Sequence, residues 1–216
     1  MRITAIEQTR RGRGYKLYLD GVLALPISRE VLQRYALRED DEIADARLDE
    51  LAEAEARHFA LASAIRLLAY KPRTEHEMRE RLEGKGVRAD IAEATLLRLR
   101  ELRLIDDAAF ANDWVARRDT TSPRGRRLIA SELRNKGVAA PLAAKATEGV
   151  DDADAAYRAA ARRASAMRTL PYAQFRRRLG DLLLRRGFGY ETARGTIARL
   201  WEEHRGSRAP ETEDEA

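Results

Sequence analysis

Cysteine is absent from this chain of 216 residues, and histidine occurs only three times. Without cysteine, disulfides and thiolate metal sites are excluded. His58, His76 and His204 lie far apart in sequence, and none has a partner at the spacing of a metal site. We therefore predict a protein with no metal centre and no cofactor.

Long apolar runs are also missing. No stretch approaches the roughly 20 apolar residues that span a membrane. The first residues lack the apolar core of a signal peptide. We therefore expect a cytoplasmic protein that makes no membrane contact.

The motifs of common enzyme classes are missing as well. Gly84-Lys85-Gly86 lacks the spacing of a phosphate-binding P-loop, and the segment of His76 lacks the second histidine of a zinc protease. Asp106 and Asp107 would point about 100° apart on a helix, which makes them a poor acid–base pair. We interpret them as helix caps. No catalytic residue is predicted, and the protein is not expected to be an enzyme.

Charged residues are abundant: they make up 36% of the chain, against a globular average of about 25%. The net charge of +5 is unevenly distributed. Residues 60–205 carry 30 basic and 20 acidic side chains, whereas residues 1–59 carry 10 and 12. Only five of the 41 basic residues are lysine. Arginine binds phosphate or carboxylate through paired hydrogen bonds, although a GC-rich genome also enriches arginine.

A short pattern recurs three times in the basic region: a basic residue, a glycine and an apolar residue. The copies are Lys85-Gly86-Val87, Lys136-Gly137-Val138 and Arg186-Gly187-Phe188, with glycines 51 and 50 positions apart. Glycine fits the left-handed residue that ends a helix. Apolar residues eight and four positions before each glycine predict a buried helical stripe. These residues are Met78 and Leu82, Ile129 and Leu133, and Leu179 and Leu183.

The starts of the middle helices can be predicted too. Proline suits a first helical turn because no N–H is needed there. Thr74 and Glu77 have the spacing of a capping box, and Ser122 is a suitable N-cap. We expect each middle helix to open on a proline, namely Pro72, Pro123 and Pro171.

The N-terminal region has the pattern of strands. Apolar and polar residues alternate, and Asp20-Gly21 is a strong hairpin turn. The basic loop at 10–14 has a backbone that could bind an anion, or it is simply a mobile hairpin loop. Ser28 is predicted to cap a short helix that ends near Ala36. The predicted strands are residues 2–8, 15–19 and 22–25.

These patterns predict a mainly α fold in which three tandem three-helix repeats follow a small N-terminal β-hairpin element. A helical pattern begins near Ala46 and runs into the first repeat. The repeat helices are expected near residues 57–70, 74–84, 89–103, 107–118, 123–136, 140–148, 152–168, 171–186 and 190–204. The predicted domains are residues 1–56 for the strand and helix element, 57–106, 107–150 and 151–205 for repeats 1 to 3, and 206–216 for a disordered acidic tail.

Basic side chains recur at equivalent positions of the repeats, on the middle helix and before the glycine. Such a register suits a phosphate backbone or an acidic groove. The glutamates interspersed among them also fit a merely solvated helix face. The candidate partner-binding residues are Arg73, Arg79, Arg81, Lys85, Arg124, Arg126, Arg127, Lys136, Arg176, Arg177, Arg185 and Arg186.

Several stretches of the chain resemble the RecX regulators of the bacterial RecA recombinase. The likeness extends over about residues 2–203, whereas the acidic tail departs from the family pattern. The stretches that carry it are Tyr18 to Gly21, Ser28 to Leu32, Leu68 to Met78 ahead of Lys85-Gly86-Val87, Leu102 to Arg118, Arg126 to Val138, and Leu183 to Phe188.

The resemblance implies that the three repeats form an elongated, curved array with a non-enzymatic role. Proteins of this family bind in the groove of the RecA–DNA filament, limit its extension, and inhibit strand exchange and ATP hydrolysis. The implied partner is the RecA nucleoprotein filament, with single- or double-stranded DNA as a further partner, and a monomer is expected. Two alternatives remain open: a helical repeat protein that binds DNA directly, and a general helical scaffold for protein partners.

Overall fold

The computed structural model describes residues 1–10, 12 and 14–206. The described residues form three strands and ten helices, which confirms the predicted mainly α fold with a small N-terminal strand element. Among these helices, none combines the length and apolar character that a bilayer crossing requires. The chain divides into two compact units, Met1–Ile105 and Asp106–Ala216. The predicted acidic tail lies outside the described residues, apart from Gly206.

The first unit begins with a three-stranded antiparallel sheet. Asp20 and Gly21 join its second and third strands with φ angles of 47° and 82°, as a type I′ hairpin turn requires. The third strand runs beyond its predicted end, because Pro26 and Ile27 still pair with the second strand. Arg11 and Arg13 lie outside the described residues, so anion binding by their loop stays a prediction. The strands, in sheet order, are β1 (Ile3–Gln8), β2 (Tyr15–Leu19) and β3 (Val22–Ile27).

Four helices complete the first unit: α1 (Arg29–Arg34), α2 (Asp45–Tyr70), α3 (Glu75–Glu83) and α4 (Ala89–Glu101). Ser28 caps α1 as predicted, because its Oγ accepts a hydrogen bond from the Val31 N–H at 3.3 Å. The helix α2 is 26 residues long, so the predicted domain boundary after residue 56 falls inside one continuous helix. The core between α2, α3 and α4 includes Ala60, Ala64, Met78, Leu82, Leu96 and Leu99.

The second unit consists of two three-helix bundles. Its helices are α5 (Asp107–Thr121), α6 (Arg126–Asn135), α7 (Ala140–Thr147), α8 (Asp152–Ser165), α9 (Tyr172–Arg185) and α10 (Tyr190–Gly206). Phe110, Ile129 and Leu133 lie in the core of α5–α7. Phe175, Leu179 and Leu183 lie in the core of α8–α10. The apolar stripes predicted from the glycine offsets are therefore buried.

All three repeats end their middle helix in the predicted way. Gly86, Gly137 and Gly187 have φ angles of 81°, 84° and 82°. In the first repeat the Gly86 N–H donates to the Glu83 carbonyl at 2.8 Å, and the Val87 N–H donates to the Leu82 carbonyl at 3.1 Å. The same two bonds close the other repeats. They form a Schellman motif, which satisfies the carbonyls at the helix end.

The helix starts differ from the prediction in two repeats. Thr74, not Pro72, precedes α3, and its Oγ1 accepts a hydrogen bond from the Glu77 N–H at 3.1 Å. The predicted opening of α6 at Pro123 is wrong, because α6 begins at Arg126 after Gly125. Ser122 ends α5 with φ −155° and ψ 78°, since a residue before proline is disfavoured in the α region. Pro171 directly precedes α9, close to the prediction.

A backbone contact joins the two bundles of the second unit. The Gly125 N–H donates to the Arg186 carbonyl at 2.9 Å. A Cβ on Gly125 would lie 2.2 Å from the Gly187 carbonyl oxygen and 2.8 Å from the Phe188 nitrogen. A methyl group therefore cannot fit unless backbone moves. Arg158 adds a second link by pairing with Asp119 and donating to its carbonyl at 2.7 Å.

Replacing Gly125 with Ala should destabilise the second unit, because the new methyl would overlap backbone atoms rather than a flexible side chain. Gly125 itself has φ −66° and ψ 144°, which alanine adopts freely, so the cost is purely steric. We expect a loss of about 1–3 kcal/mol in the free energy of unfolding, measured by urea denaturation.

Gly195→Ala is the matched control, because a Cβ at this position on α10 meets no atom within 4 Å. It should raise the free energy of unfolding by about 0.5–1 kcal/mol through higher helix propensity. Equal stability of the two variants would show that the two bundles are not held in close contact at Gly125.

Candidate functional site

The candidate basic residues occupy three kinds of environment. Arg73 is buried, with 8% of its surface exposed, so it is not available to a partner in this conformation. Partly buried candidates are Arg79, Arg124, Lys136 and Arg186, and exposed candidates are Arg81, Lys85, Arg126, Arg127, Arg176, Arg177 and Arg185.

In the first unit, one candidate is buried and another is paired within the fold. The Nε of Arg73 is buried and has no hydrogen-bond partner among the described residues. Arg79 on α3 pairs with Glu93 on α4 through both Nε and Nη2. The hydrogen bond with Glu93 raises the pKa of Arg79. The exposed candidates in this unit are therefore Arg81 and Lys85.

Glu132 organises the basic residues of the α5–α7 bundle. Its carboxylate accepts hydrogen bonds from Trp114 Nε1 at 2.9 Å, from Arg118 Nε at 2.7 Å and from Arg124 Nη1. Burial by itself raises the pKa of Glu132, but the hydrogen bonds from Trp114 and Arg118 and the charges of Arg118 and Arg124 more than offset it. The pKa of Glu132 therefore lies below its usual value. Arg124 is a structural partner of this carboxylate.

Trp114 lies at the centre of a cluster of cations. The guanidinium of Arg118 lies 4.6 Å from its ring centroid, and the Lys136 ammonium lies 4.7 Å from it. Such contacts stabilise a cation over an aromatic ring. Lys136, a candidate from the sequence, is thus engaged within the fold. The interspersed glutamates also fit a solvated face, but the structure shows that Glu132 accepts hydrogen bonds from Arg118 and Arg124.

A groove of about 1030 Å³ runs between α6, α7 and the connection from α9 to α10; we call it the α6–α7 groove. Arg126 and Arg127 lie along it and are exposed. Arg134 and Lys145 also line it, although the sequence patterns missed both. Arg134 is seven residues after Arg127, two helical turns along the same face, and this spacing could have identified it.

A second groove, of about 480 Å³, lies along α9 and α10; we call it the α9–α10 groove. The predicted residues Arg176 and Arg177 line it, together with Arg194. Tyr172 and Tyr190 line it as well and are 44% and 67% exposed. Both tyrosines stand at the first position of a helix, and no sequence pattern had singled them out.

The two grooves are lined chiefly by basic, apolar and aromatic side chains. Among the described residues, no group of three or more histidine, cysteine, aspartate or glutamate side chains could hold a metal ion. Asp106 acts as a cap, as predicted, because its Oδ1 accepts hydrogen bonds from the N–H groups of Ala108 and Ala109 at 2.8 and 3.0 Å. The described arginine-lined grooves suit an anionic partner.

Comparison with known proteins identifies the family. Residues 60–99 match the first three-helix domain of RecX, and residues 106–146 match the second. The regulatory protein RecX of Levilactobacillus brevis is 33% identical over 208 residues, which cover 92% of this chain and 76% of that protein. The regulatory protein RecX of Chlorobium limicola is 32% identical over 143 residues, covering 66% of this chain and 90% of its own length.

A solved structure of the same family also matches this chain. The crystal structure of a regulatory protein RecX matches with a TM-score of 0.68 and 25% identity, covering 94% of this chain and 98% of that chain. These are proteins built from three-helix domains with a regulatory role. The chain belongs to the RecX family of regulatory proteins, which confirms the resemblance drawn from its sequence.

Replacing Glu132 with Gln should destabilise the α5–α7 bundle at pH 7, because two arginines lose their shared negative partner. We expect a loss of roughly 1–3 kcal/mol in the free energy of unfolding. The folded pKa of Glu132 is lowered, so its contribution is present above the unfolded pKa of about 4.3 and is lost as the pH falls through the folded pKa. The difference between variant and parent should therefore shrink in acid.

Urea unfolding at pH 7 and at a series of acid pH values measures this difference. Glu148→Gln is the control, because Glu148 is exposed at the C-terminal end of α7. This substitution should change the free energy of unfolding by less than about 0.5 kcal/mol. A Glu132→Gln variant as stable as the parent at pH 7 would contradict the role given to the carboxylate.

Proposed function

We propose that this protein modulates the RecA recombinase by binding the RecA–DNA filament, limiting its extension and lowering its ATPase and strand-exchange activities. Membership of the RecX family is the observation that carries this proposal. In this role the protein regulates homologous recombination and DNA repair without catalysing a reaction of its own.

The charges of the second unit support this proposal. The α6–α7 groove presents Arg126, Arg127 and Arg134 to solvent. A filament offers both DNA phosphate and acidic protein side chains, and arginine can bind either one bidentately. The backbone N–H of Arg126 donates to Asp152 Oδ1 at 2.8 Å, which fixes the start of α6 while leaving the arginine side chain outside.

The proposal predicts inhibition of RecA at substoichiometric amounts. A molecule that blocks extension of a filament affects many RecA subunits, so ATP hydrolysis on single-stranded DNA should slow when the protein is far scarcer than RecA. Titration into a RecA ATPase assay at fixed DNA measures this. The proposal would be contradicted if the protein inhibited RecA only when present in excess over DNA sites and inhibited an unrelated recombinase equally. That result would indicate simple competition for DNA.

Two sets of variants separate binding from folding. Arg126→Ala with Arg127→Ala should weaken inhibition of RecA and leave the melting temperature nearly unchanged, because both side chains are exposed. Arg124→Ala should leave inhibition of RecA nearly unchanged and lower the melting temperature by roughly 2–4 °C. This corresponds to a loss of about 1 kcal/mol in the free energy of unfolding, because the pair with Glu132 is lost. If Arg126→Ala with Arg127→Ala inhibits RecA as strongly as the parent, the α6–α7 groove is not the filament-binding surface.

A further inference from the structure

The first and third repeats each begin with a helix, and the two helices can be aligned residue by residue. Both carry two fully buried alanines one turn apart: Ala60 and Ala64 on α2, and Ala160 and Ala164 on α8. The residue numbers differ by 100, so Asp152 on α8 corresponds to Ala52 on α2. Gly187 corresponds to Gly86, and both follow a middle helix with a left-handed φ. The two repeats therefore present equivalent faces, each formed by the first helix and the turn after the middle helix.

In the third repeat, the start of α6 occupies this face. The Gly125 N–H donates to the Arg186 carbonyl at 2.9 Å, and the Arg126 N–H donates to Asp152 Oδ1 at 2.8 Å. N–H groups at the start of a helix lack partners within the helix. The face supplies a carbonyl and a carboxylate to these groups, so it is a seat for the first turn of a helix.

The equivalent face of the first repeat is open. Leu128 on α6 covers Gly187, because a Cβ on this glycine would lie 2.3 Å from the Leu128 Cβ. A Cβ on Gly86 would meet no atom of the described residues within 4 Å. The Lys85 carbonyl corresponds to that of Arg186, and in the described part of the chain no backbone N–H donates to it. Within the described residues, the first repeat thus offers the same seat without an occupant.

A groove of about 370 Å³ lies at this open face; we call it the first-repeat groove. Its apolar lining consists of Ala52, Ala56, Phe59, Val87 and Ile91. Phe59 is 43% exposed. Asp49 and Glu53 also line the groove. Glu53 pairs with an arginine on its own helix, and Arg88 in the lining pairs with Asp90. Asp49 forms no ion pair within the described part of the chain, so its charge is available to a partner.

We propose that the first-repeat groove binds the start of a helix from a protein partner, in the way that the third repeat binds the start of α6. The first N–H groups of the partner helix donate to the Lys85 carbonyl and to the Asp49 carboxylate. A helix start carries partial positive charge, which a carboxylate stabilises, and basic residues in the first turn add to the attraction. An apolar side chain of that turn packs on Phe59. The residue before the helix is glycine, because the two backbones meet there.

A separate protein fits this seat better than a second copy of the chain. The start of α6 is already seated in the third repeat. The helix α3 begins after Thr74, which is fully buried. The helix α9 begins after Pro171, which has no N–H to donate, and Tyr172 would put a bulky side chain at the contact. The three middle helices therefore offer no suitable start to another copy.

A synthetic peptide of residues 122–138 is the probe, because it contains the seated start of α6, Gly125-Arg126-Arg127-Leu128. Its titration into the isotope-labelled full chain is followed by NMR, which detects the weak binding expected of a short, marginally stable helix. The amide signals of Gly86 and Ala56 should shift in a saturable way. The same peptide with Gly125→Leu should cause no such shift, because the added side chain would overlap backbone. No RecA is present, so the outcome is independent of the proposed function.

Substitutions in the groove test its chemistry. Asp49→Lys should weaken peptide binding by roughly two- to fivefold, the effect of one charge at a helix terminus. Phe59→Ala should also weaken binding, because the apolar contact is lost. Glu101→Lys is the matched control: it makes the same change of charge at the exposed far end of α4 and should leave the Kd unchanged. Thermal melting followed by circular dichroism verifies that each variant is folded.

Several results would overturn the proposal. One is the absence of any shift at Gly86, or shifts confined to Gly187 and Phe188, which would mean that the peptide only displaces α6 from its own seat. Another is equal affinity for the peptide that carries Gly125→Leu, or an unchanged Kd for Asp49→Lys. A third is self-association of the chain in analytical ultracentrifugation that Asp49→Lys abolishes, which would assign the groove to a second copy.

Discussion

Two glycines allow the start of α6 to lie against the connection between α9 and α10. Gly125 donates its N–H to Arg186, and no side chain at Gly125 or Gly187 stands between the two backbones. Gly187 serves twice, because its left-handed φ also ends α9. The α6–α7 groove takes part of its lining from Gly187 and Phe188. The shape of this groove therefore depends on a contact that tolerates no Cβ.

The arginine-rich composition has two separate physical roles. Arg79, Arg118 and Arg158 each pair with a carboxylate on another helix, which ties neighbouring helices together, and Arg124 in the connection from α5 to α6 pairs with Glu132 on α6. Arg126, Arg127, Arg176 and Arg177 are exposed and line the grooves. Charge alone does not separate these sets. The difference lies in whether the fold brings a carboxylate within reach of the guanidinium.

Much of the fold could be predicted from local chemistry. The glycine stops, the buried leucine stripes, and the caps at Ser28, Thr74 and Asp106 depend on a few adjacent residues or on one helical period. The contact at Gly125 could not be predicted, because it joins residues about sixty positions apart. The hydrogen bond between Trp114 and Glu132 could not be predicted either, because it joins two different helices. The burial of Arg73 could not be predicted, because no periodic pattern indicated it. Local periodicity says which face of a helix is apolar but not which charged side chain finds a partner.

The central claim is that the grooves of the second unit face the partner. Because the chain has no native cysteine, a single introduced cysteine is the only thiol that a reagent can modify, and its reactivity measures the exposure of that position. Ser131→Cys puts it in the α6–α7 groove, and Ser165→Cys puts it at the exposed end of α8. The measurement is the rate at which a maleimide modifies each thiol with and without RecA filaments on single-stranded DNA. The account predicts slowing at residue 131 and little change at residue 165; an unchanged rate at residue 131 in a bound complex would contradict it.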